Sequence, residues 1–193
     1  MAWAKNGTSD TLTSAGDAVT ISDLTASKFH VYLFHAPASG SYNTIINFDN
    51  DSGIKYAERQ SANGGSDGTN VSQTDFNTGD GTDSDGFHIG YIVDVSGEET
   101  LLLDWWIRAN TTGAGNAPYR GENVGKFTGT TQFTRIDFDN SSTGDFDTDT
   151  NLSVLGSDLT PVAGKTIETG SIYIDTDTNQ RYFWNGSSWS LQA

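Results

Sequence analysis

Two neighbouring segments decide the fold class: Phe87-His-Ile-Gly-Tyr-Ile-Val-Asp-Val95 and Thr100-Leu-Leu-Leu-Asp-Trp-Trp-Ile-Arg-Ala109. The second is the most apolar run of the chain, and both have the length and the residue types of β-strands. Ser96-Gly-Glu-Glu99 joins them, and a connection this short is typical of a β-hairpin. We therefore predict an antiparallel pair of strands at this point.

Further short blocks with an apolar period near two lie on both sides of this hairpin, separated by turn residues. They cover residues 18–21, 28–35, 42–48, 54–59, 119–127, 132–138 and 152–155. This pattern predicts an all-β fold, an antiparallel β-sandwich of the jelly-roll type with about eight strands, within residues 1–160. The rest of residues 49–86 is polar and is predicted to be a long excursion from the sheets. No helix of normal length is predicted.

Several of these strands are apolar on both faces. In residues 100–109, Leu101, Leu103 and Trp105 should face one side and Leu102 and Trp106 the other, because successive side chains of a strand alternate. We expect both sides to be buried and both tryptophans to pack in a core. A strand with two apolar faces belongs in the middle of a sandwich or at a contact between subunits.

Residues 161–193 form a separate unit, a connector followed by a C-terminal β-hairpin or meander. Three short strands are expected around turns at residues 175–179 and at Asn185-Gly186. A meander of this size cannot bury its aromatic side chains alone. They are predicted to form an interface or a binding surface, and the residues are Tyr173, Tyr182, Phe183, Trp184 and Trp189.

Composition narrows the classes of function. The chain of 193 residues has 10 Lys and Arg against 25 Asp and Glu, a formal net charge of −15. Such a protein repels phosphate backbones and anionic lipids, so neither nucleic-acid binding nor membrane insertion is expected. There is no cysteine, which excludes disulfides and thiolate chemistry.

No catalytic constellation is visible, and we predict that the protein is not an enzyme. His30 and His35 point to opposite faces of one predicted strand, so they cannot ligate one metal as a local pair. No nucleophile elbow, HExxH motif or phosphate-binding loop occurs. An enzyme that hydrolyses glycans would need paired carboxylates in a cleft, and it remains the third hypothesis.

Clusters of aspartate raise the question of calcium, which binds six to eight oxygen ligands. No cofactor is expected, and solvated aspartates in turns are the preferred interpretation, because no cluster matches a full EF-hand loop. The Ca²⁺ alternative concerns Asp80, Asp83, Asp85, Asp145, Asp147 and Asp149, with further clusters at Asp49/Asp51 and Asp175/Asp177/Asn179.

The segment Gly170-Ser-Ile-Tyr-Ile-Asp-Thr-Asp-Thr-Asn-Gln-Arg-Tyr-Phe-Trp-Asn-Gly-Ser-Ser-Trp-Ser190 resembles a segment that recurs in tail-fibre and other structural proteins of tailed viruses. The opening Met1-Ala-Trp3, Phe48-Asp-Asn-Asp-Ser-Gly-Ile-Lys-Tyr-Ala57, Ser61-Ala-Asn-Gly-Gly-Ser-Asp-Gly-Thr69 and Gly144-Asp-Phe-Asp-Thr-Asp-Thr-Asn-Leu-Ser-Val-Leu-Gly156 are similar to small structural proteins of marine phages and archaeal tailed viruses. The resemblance implies a jelly-roll decoration, turret or fibre protein without catalytic residues.

The resemblance thus implies a virion surface protein, on the capsid or the tail, that is assembled in the host cytoplasm. Its expected partners are copies of itself and other virion proteins such as the major capsid protein. A trimer is favoured, with a pentamer as the alternative. Deleting residues 170–193 should weaken assembly or attachment and leave the sandwich folded. The alternative function is a receptor- or carbohydrate-binding module that recognises host surface glycans.

Overall fold

The computed structural model describes residues 3–37, 40–82, 85–110, 113–158, 169–175 and 180–191. The chain consists of two compact units, Met1–Asp158 and Leu159–Ala193. The described part of the first unit contains β1 (Ala4–Lys5), β2 (Asp10–Thr11), β3 (Ala18–Ile21), β4 (Phe29–Ala36), β5 (Ser41–Phe48), β6 (Tyr56–Ala62), β7 (Gly68–Gln73), β8 (Phe76–Thr82), β9 (Gly86–Val93), β10 (Thr100–Arg108), β11 (Tyr119–Phe127), β12 (Ile136–Asn140) and β13 (Asn151–Ser157).

These strands form two antiparallel sheets, which confirms the predicted all-β class. A nine-stranded sheet has the order β1-β13-β4-β9-β10-β11-β6-β7, and β2 also pairs with β13. A four-stranded sheet has the order β3-β12-β5-β8. Side chains from both sheets share one core, in which Phe34 of β4 stacks on Phe138 of β12 with ring centroids 4.5 Å apart. The finer jelly-roll connectivity stays a prediction. No helix in the described part of the chain has the length and apolarity needed to cross a bilayer.

The predicted hairpin is confirmed, since β9 and β10 pair directly through a turn that contains Gly97 with a positive φ of 90°. The described part of the first unit has thirteen strands rather than about eight. Two of them, β7 and β8, lie in the polar segment predicted to be an excursion, and β1 and β2 precede the first predicted strand. Residues on the edge strand β7 are mostly exposed, and β8 buries only Phe76 and Thr78 among its described side chains. Neither strand therefore carries the apolar alternation that reveals a strand in sequence.

One predicted strand begins later than expected. Residues 132–135 are irregular and β12 starts at Ile136, because carboxylates capture the backbone before the sheet begins. Asp94 accepts the N–H of Phe133 at 2.9 Å, and Asp49 accepts the N–H groups of Thr134 and Arg135 at 2.9 and 3.0 Å. These bonds replace the ladder bonds that a strand would make.

The described part of the second unit is an antiparallel three-stranded meander of β14 (Ile172–Asp175), β15 (Gln180–Trp184) and β16 (Trp189–Leu191). The Asn185-Gly186 turn joins β15 to β16. Its Asn185 side chain accepts the N–H groups of Ser187 and Ser188, each at 2.9 Å. An asparagine side chain that binds the backbone ahead of it fixes the chain reversal in this way.

Candidate interaction face

The two faces of the nine-stranded sheet differ in what covers them. The inner face packs on the four-stranded sheet, whereas no described strand of the first unit lies over the outer face. In β10 the predicted alternation holds, with Leu102 buried on the inner face and Leu101 and Trp105 on the outer. The prediction that both sides are buried is wrong for the single chain, since Leu101 is 52% exposed and Trp105 is 46% exposed. Trp105 therefore does not belong to the core, while Trp106 is half-buried on the inner side.

Apolar side chains fill the outward positions of the three central strands except at the end of β4, where His35 points outward. Cross-strand register places them in rows, for example Val31 beside Tyr91 and Tyr91 beside Leu103. The outward side chains of this apolar face are Phe29, Val31 and Leu33 of β4, Phe87, Ile89, Tyr91 and Val93 of β9, and Leu101, Leu103, Trp105 and Ile107 of β10. Strands are ~4.8 Å apart and same-face residues ~6.7 Å apart, so the face covers on the order of 400 Å². An apolar patch of this size matches the largest one on a typical monomer, and such patches are often functional.

The inner face of the same strands is the more polar one. Asp104 is fully buried there and accepts a 2.6 Å hydrogen bond from the Tyr32 hydroxyl. The Nδ1 atom of His88 lies 3.4 Å from the other carboxylate oxygen of Asp104. Burial, together with the neighbouring Asp104 carboxylate, raises the pKa of Tyr32 well above its usual value, so the hydroxyl stays a donor. Gly90 leaves room for the Tyr32 ring, which a Cβ at this position would overlap. In β9 and β10 the usual arrangement, apolar inside and polar outside, is thus reversed.

Charged side chains lie at the flanks of the apolar face, Lys5 of β1 on one side and a larger group on the other. No Asp, Glu, Lys or Arg points outward from β4, β9 or β10. On the neighbouring β11 and β6, the outward positions hold the cations Arg59, Arg120 and Lys126 and the single carboxylate Glu122. Lys126 is also paired with Glu99 at 2.9 Å, so this flank is close to neutral in a chain with a net charge of −15. A groove of about 250 Å³ runs along this flank between apolar and polar walls. Its side chains include Trp105, Ile107, Arg120, Glu122, Ser61 and Asn63.

The structure brings four of the five predicted aromatic residues of the meander together. Tyr173 pairs with Tyr182 and Trp184 with Trp189, so all four share one face. The ring centroids of Trp184 and Trp189 are 5.4 Å apart, and those of Tyr173 and Tyr182 are 6.0 Å apart. Phe183 lies on the opposite face with Ile172. All of these side chains are half-buried or exposed, so both faces of the meander present apolar surface.

The aspartate clusters make local structural contacts. Asp147 accepts the N–H of Thr148 at 2.7 Å, and Asp51 accepts the Lys55 ammonium and the N–H of Gly53 at 2.5 and 2.8 Å. Asp149 has a positive φ of 71° in a turn, and Asp85 and Asp145 also have interaction partners. Asp83, Asp177, Asn179 and the side chains of Asp80 and Asp175 lie outside the described residues. Across the ranges that the structure describes, no three His, Asp or Glu side chains are grouped as metal ligands.

Sequence reasoning found the two-sided apolar strands and gave a subunit contact as one explanation, but it named only meander residues as the candidate surface. The signal for the larger surface was present in residues 87–93, where every second residue is large and apolar while His88 and Gly90 alternate with them. Neither a protein-family model nor a curated protein sequence matches this chain.

Proposed function

We propose that this chain is a non-catalytic structural protein displayed on the surface of a virus particle, where it assembles as a homo-oligomer. The observation that carries the proposal is the reversed polarity of β9 and β10, whose outer positions hold the large apolar side chains. A protein that works as a monomer usually buries such side chains, so we infer that a partner molecule covers this face after folding.

A second copy of this chain is the occupant that fits the face. A standard interface buries about 800 Å² per partner and combines an apolar centre with a polar rim. The apolar face supplies about half of that area, and Arg59, Arg120, Glu122 and Lys126 supply part of a rim. The groove beside Trp105 offers a pocket for a side chain of the partner, the usual position of strong interface contacts.

Electrostatics favours the same face. Two copies with a net charge of −15 each repel one another over most of their surface, and the repulsion falls within about 10 Å at 0.1 M salt. The outer face carries no carboxylate on its central strands, so approach through this face costs the least. We expect association to strengthen with salt, as it would in a saline habitat.

The virion assignment rests on the C-terminal segment, which resembles a recurrent segment of tailed-virus structural proteins. Its meander exposes apolar side chains on both faces, which supports a role in contacts with other virion proteins such as the major capsid protein. A trimer is the expected oligomer and a pentamer at capsid vertices the alternative. The effect of deleting residues 170–193 stays a prediction.

Sedimentation equilibrium of the full chain at micromolar concentration tests self-association through the outer face. We expect the parent protein to be an oligomer and the Leu101→Gln, Trp105→Gln double variant to be a monomer with an unchanged circular dichroism spectrum. Ile54→Gln is the matched control, because Ile54 is 71% exposed outside the apolar face. A parent protein that stays monomeric in high salt would contradict the proposal, as would a double variant that assembles normally.

A further inference from the structure

A second surface lies on the inner side of the nine-stranded sheet. The four-stranded sheet ends at β8, whereas the larger sheet continues through β11 and β6 to β7. The inner face of β6 and β7 is therefore open at the end where β10 places Trp106. Two adjoining depressions of about 320 and 260 Å³ lie there and share Gln60, Ala62 and Trp106.

Glycine residues seat the Trp106 indole in this cleft. A Cβ atom on Gly121 of β11 would overlap the indole, and one on Gly79 of β8 would lie 2.9 Å from its Cε2 atom. Gly79 also has a positive φ of 133°, a conformation open to glycine alone. The two backbones therefore hold the ring from both sheets. A rigid aromatic at the floor of a cleft binds a ligand with little loss of conformational entropy.

Asn123 provides a buried polar group that has an unfilled acceptor. Its side chain is 1% exposed and lines the cleft, and its Nδ2 atom donates to the Asn77 carbonyl at 3.1 Å. Its Oδ1 atom accepts no hydrogen bond from any residue that the structure describes. An unsatisfied buried acceptor lowers the stability of the folded protein by about 1–3 kcal/mol. A ligand that donates a hydrogen bond to this atom removes that cost, and the gain adds to its binding free energy.

The remaining walls are amides, hydroxyls and one cation. The Arg108 guanidinium lies 4.5 Å from the Tyr119 ring centroid, and Gln60 stands opposite on β6. Although 25 of the 193 residues are acidic, no carboxylate occurs among the described residues that line the two depressions. Uncharged donors and acceptors around an aromatic ring suit a ligand that carries hydroxyl groups on an apolar frame.

We propose that this cleft binds a neutral pyranose unit of a glycan. The C–H face of the sugar packs on the exposed part of Trp106, and the Gln60 amide bonds one hydroxyl. A second hydroxyl donates to the Asn123 Oδ1 atom once the side chains that cover this atom in the free protein have moved aside. The site opens on the opposite side of the sheet from the apolar face, although the groove beside Trp105 shares Ser61, Asn63 and Trp106 with it. It goes beyond the structural role and does not depend on self-association.

Saturation-transfer-difference NMR with the full chain tests this site, using glucose, galactose, mannose and N-acetylglucosamine as probes at millimolar concentration. We expect transfer to the ring protons of at least one sugar. Gln60→Ala and Trp106→Phe should each weaken that sugar about tenfold. The matched controls are Gln73→Ala and Trp3→Phe, since both side chains are exposed away from the cleft. Circular dichroism confirms that each variant is folded.

Three results would overturn the inference. One is the absence of transfer to all four sugars. Another is transfer that survives Gln60→Ala and Trp106→Phe unchanged. The third is a peptide array in which short peptides, and none of the sugars, bind with the same sensitivity to these two variants. None of these outcomes bears on the sedimentation experiment, so the two proposals fail separately.

Discussion

The inner and outer faces of β4, β9 and β10 belong to the same strands but differ in how far they are buried. The inner face of β4 carries Tyr32 and Phe34, which are fully buried against the four-stranded sheet. The outer face carries large apolar side chains as well, and most of them remain in contact with solvent in the single chain. The difference teaches that the apolar content of a strand face does not determine its burial within one chain. What determines it is whether another layer is present to cover it.

The largest effect should come from a matched pair of truncations on β4. Phe34→Ala removes a buried ring that stacks on Phe138 and should lower the free energy of unfolding by about 3–5 kcal/mol. Leu33→Ala, its neighbour on the outer face, should cost less than about 1 kcal/mol in the monomer, because Leu33 is 38% exposed. Urea unfolding at a concentration low enough to keep the protein monomeric measures both.

Raising the protein concentration in the same experiment separates the two faces further. Where the oligomer forms, Leu33→Ala should lower the midpoint of unfolding more than it does in the monomer, since association stabilises the folded state by mass action. Equal losses from the two substitutions in the monomer would show that the outer face is buried within the chain itself.

The sequence was sufficient to predict which side chains of a strand share a face. The alternation of Phe29, Val31 and Leu33 with Tyr32 and Phe34 gave the correct partition, because successive side chains of a strand point to opposite sides. It did not reveal which face another layer covers, since that depends on the pairing of β12 with β5 and β3, far away in the chain.

The cleft was beyond the reach of sequence reasoning for the same reason. Trp106 meets Gly79 and Gly121, each more than ten positions away, and nothing local marks these glycines as partners of an indole. The polar strands β7 and β8, which border the cleft, also lack the alternation that would have indicated them.

The histidines of β4 offer a second matched pair, of intermediate size. Burial lowers the pKa of His30 from 6.5 to about 4, so the folded protein holds this imidazole neutral. Its contribution to stability is complete above pH 6.5 and is lost as the pH falls toward 4, by about 3 kcal/mol in all. His30→Gln should therefore make unfolding less sensitive to acid between pH 6.5 and 4.

His35→Gln is the control for that substitution, since this side chain lies on the outer face, where water reaches the ring. Urea unfolding at several pH values gives both slopes. If the two substitutions change the acid sensitivity of unfolding equally, burial on the inner face is not the cause of the lowered pKa of His30.

The smallest of the three effects concerns Glu58, which lies on the inner face of β6 beside the cleft. Its carboxylate accepts hydrogen bonds from the Asn70 side chain at 2.8 Å and from the N–H of Asn77 at 3.0 Å. Burial nevertheless raises the pKa of Glu58 from 4.5 to about 6, with the Asp75 and Asp104 carboxylates acting in the same direction. Its contribution to stability is therefore present below pH 4.5 and is lost as the pH rises through 6, a change of about 2 kcal/mol.

Glu58→Gln should remove this decline, even if the lost bond to Asn77 lowers stability by a constant amount at every pH. Glu122→Gln on the outer face of β11 is the matched substitution, and its unfolding curve should keep the parent's dependence between pH 4.5 and 7. If the stability of Glu58→Gln depends on pH as that of the parent does, water reaches the Glu58 carboxylate. The inner face of β6 is then open to solvent as far as Glu58, despite the hydrogen bonds of this residue to Asn70 and Asn77.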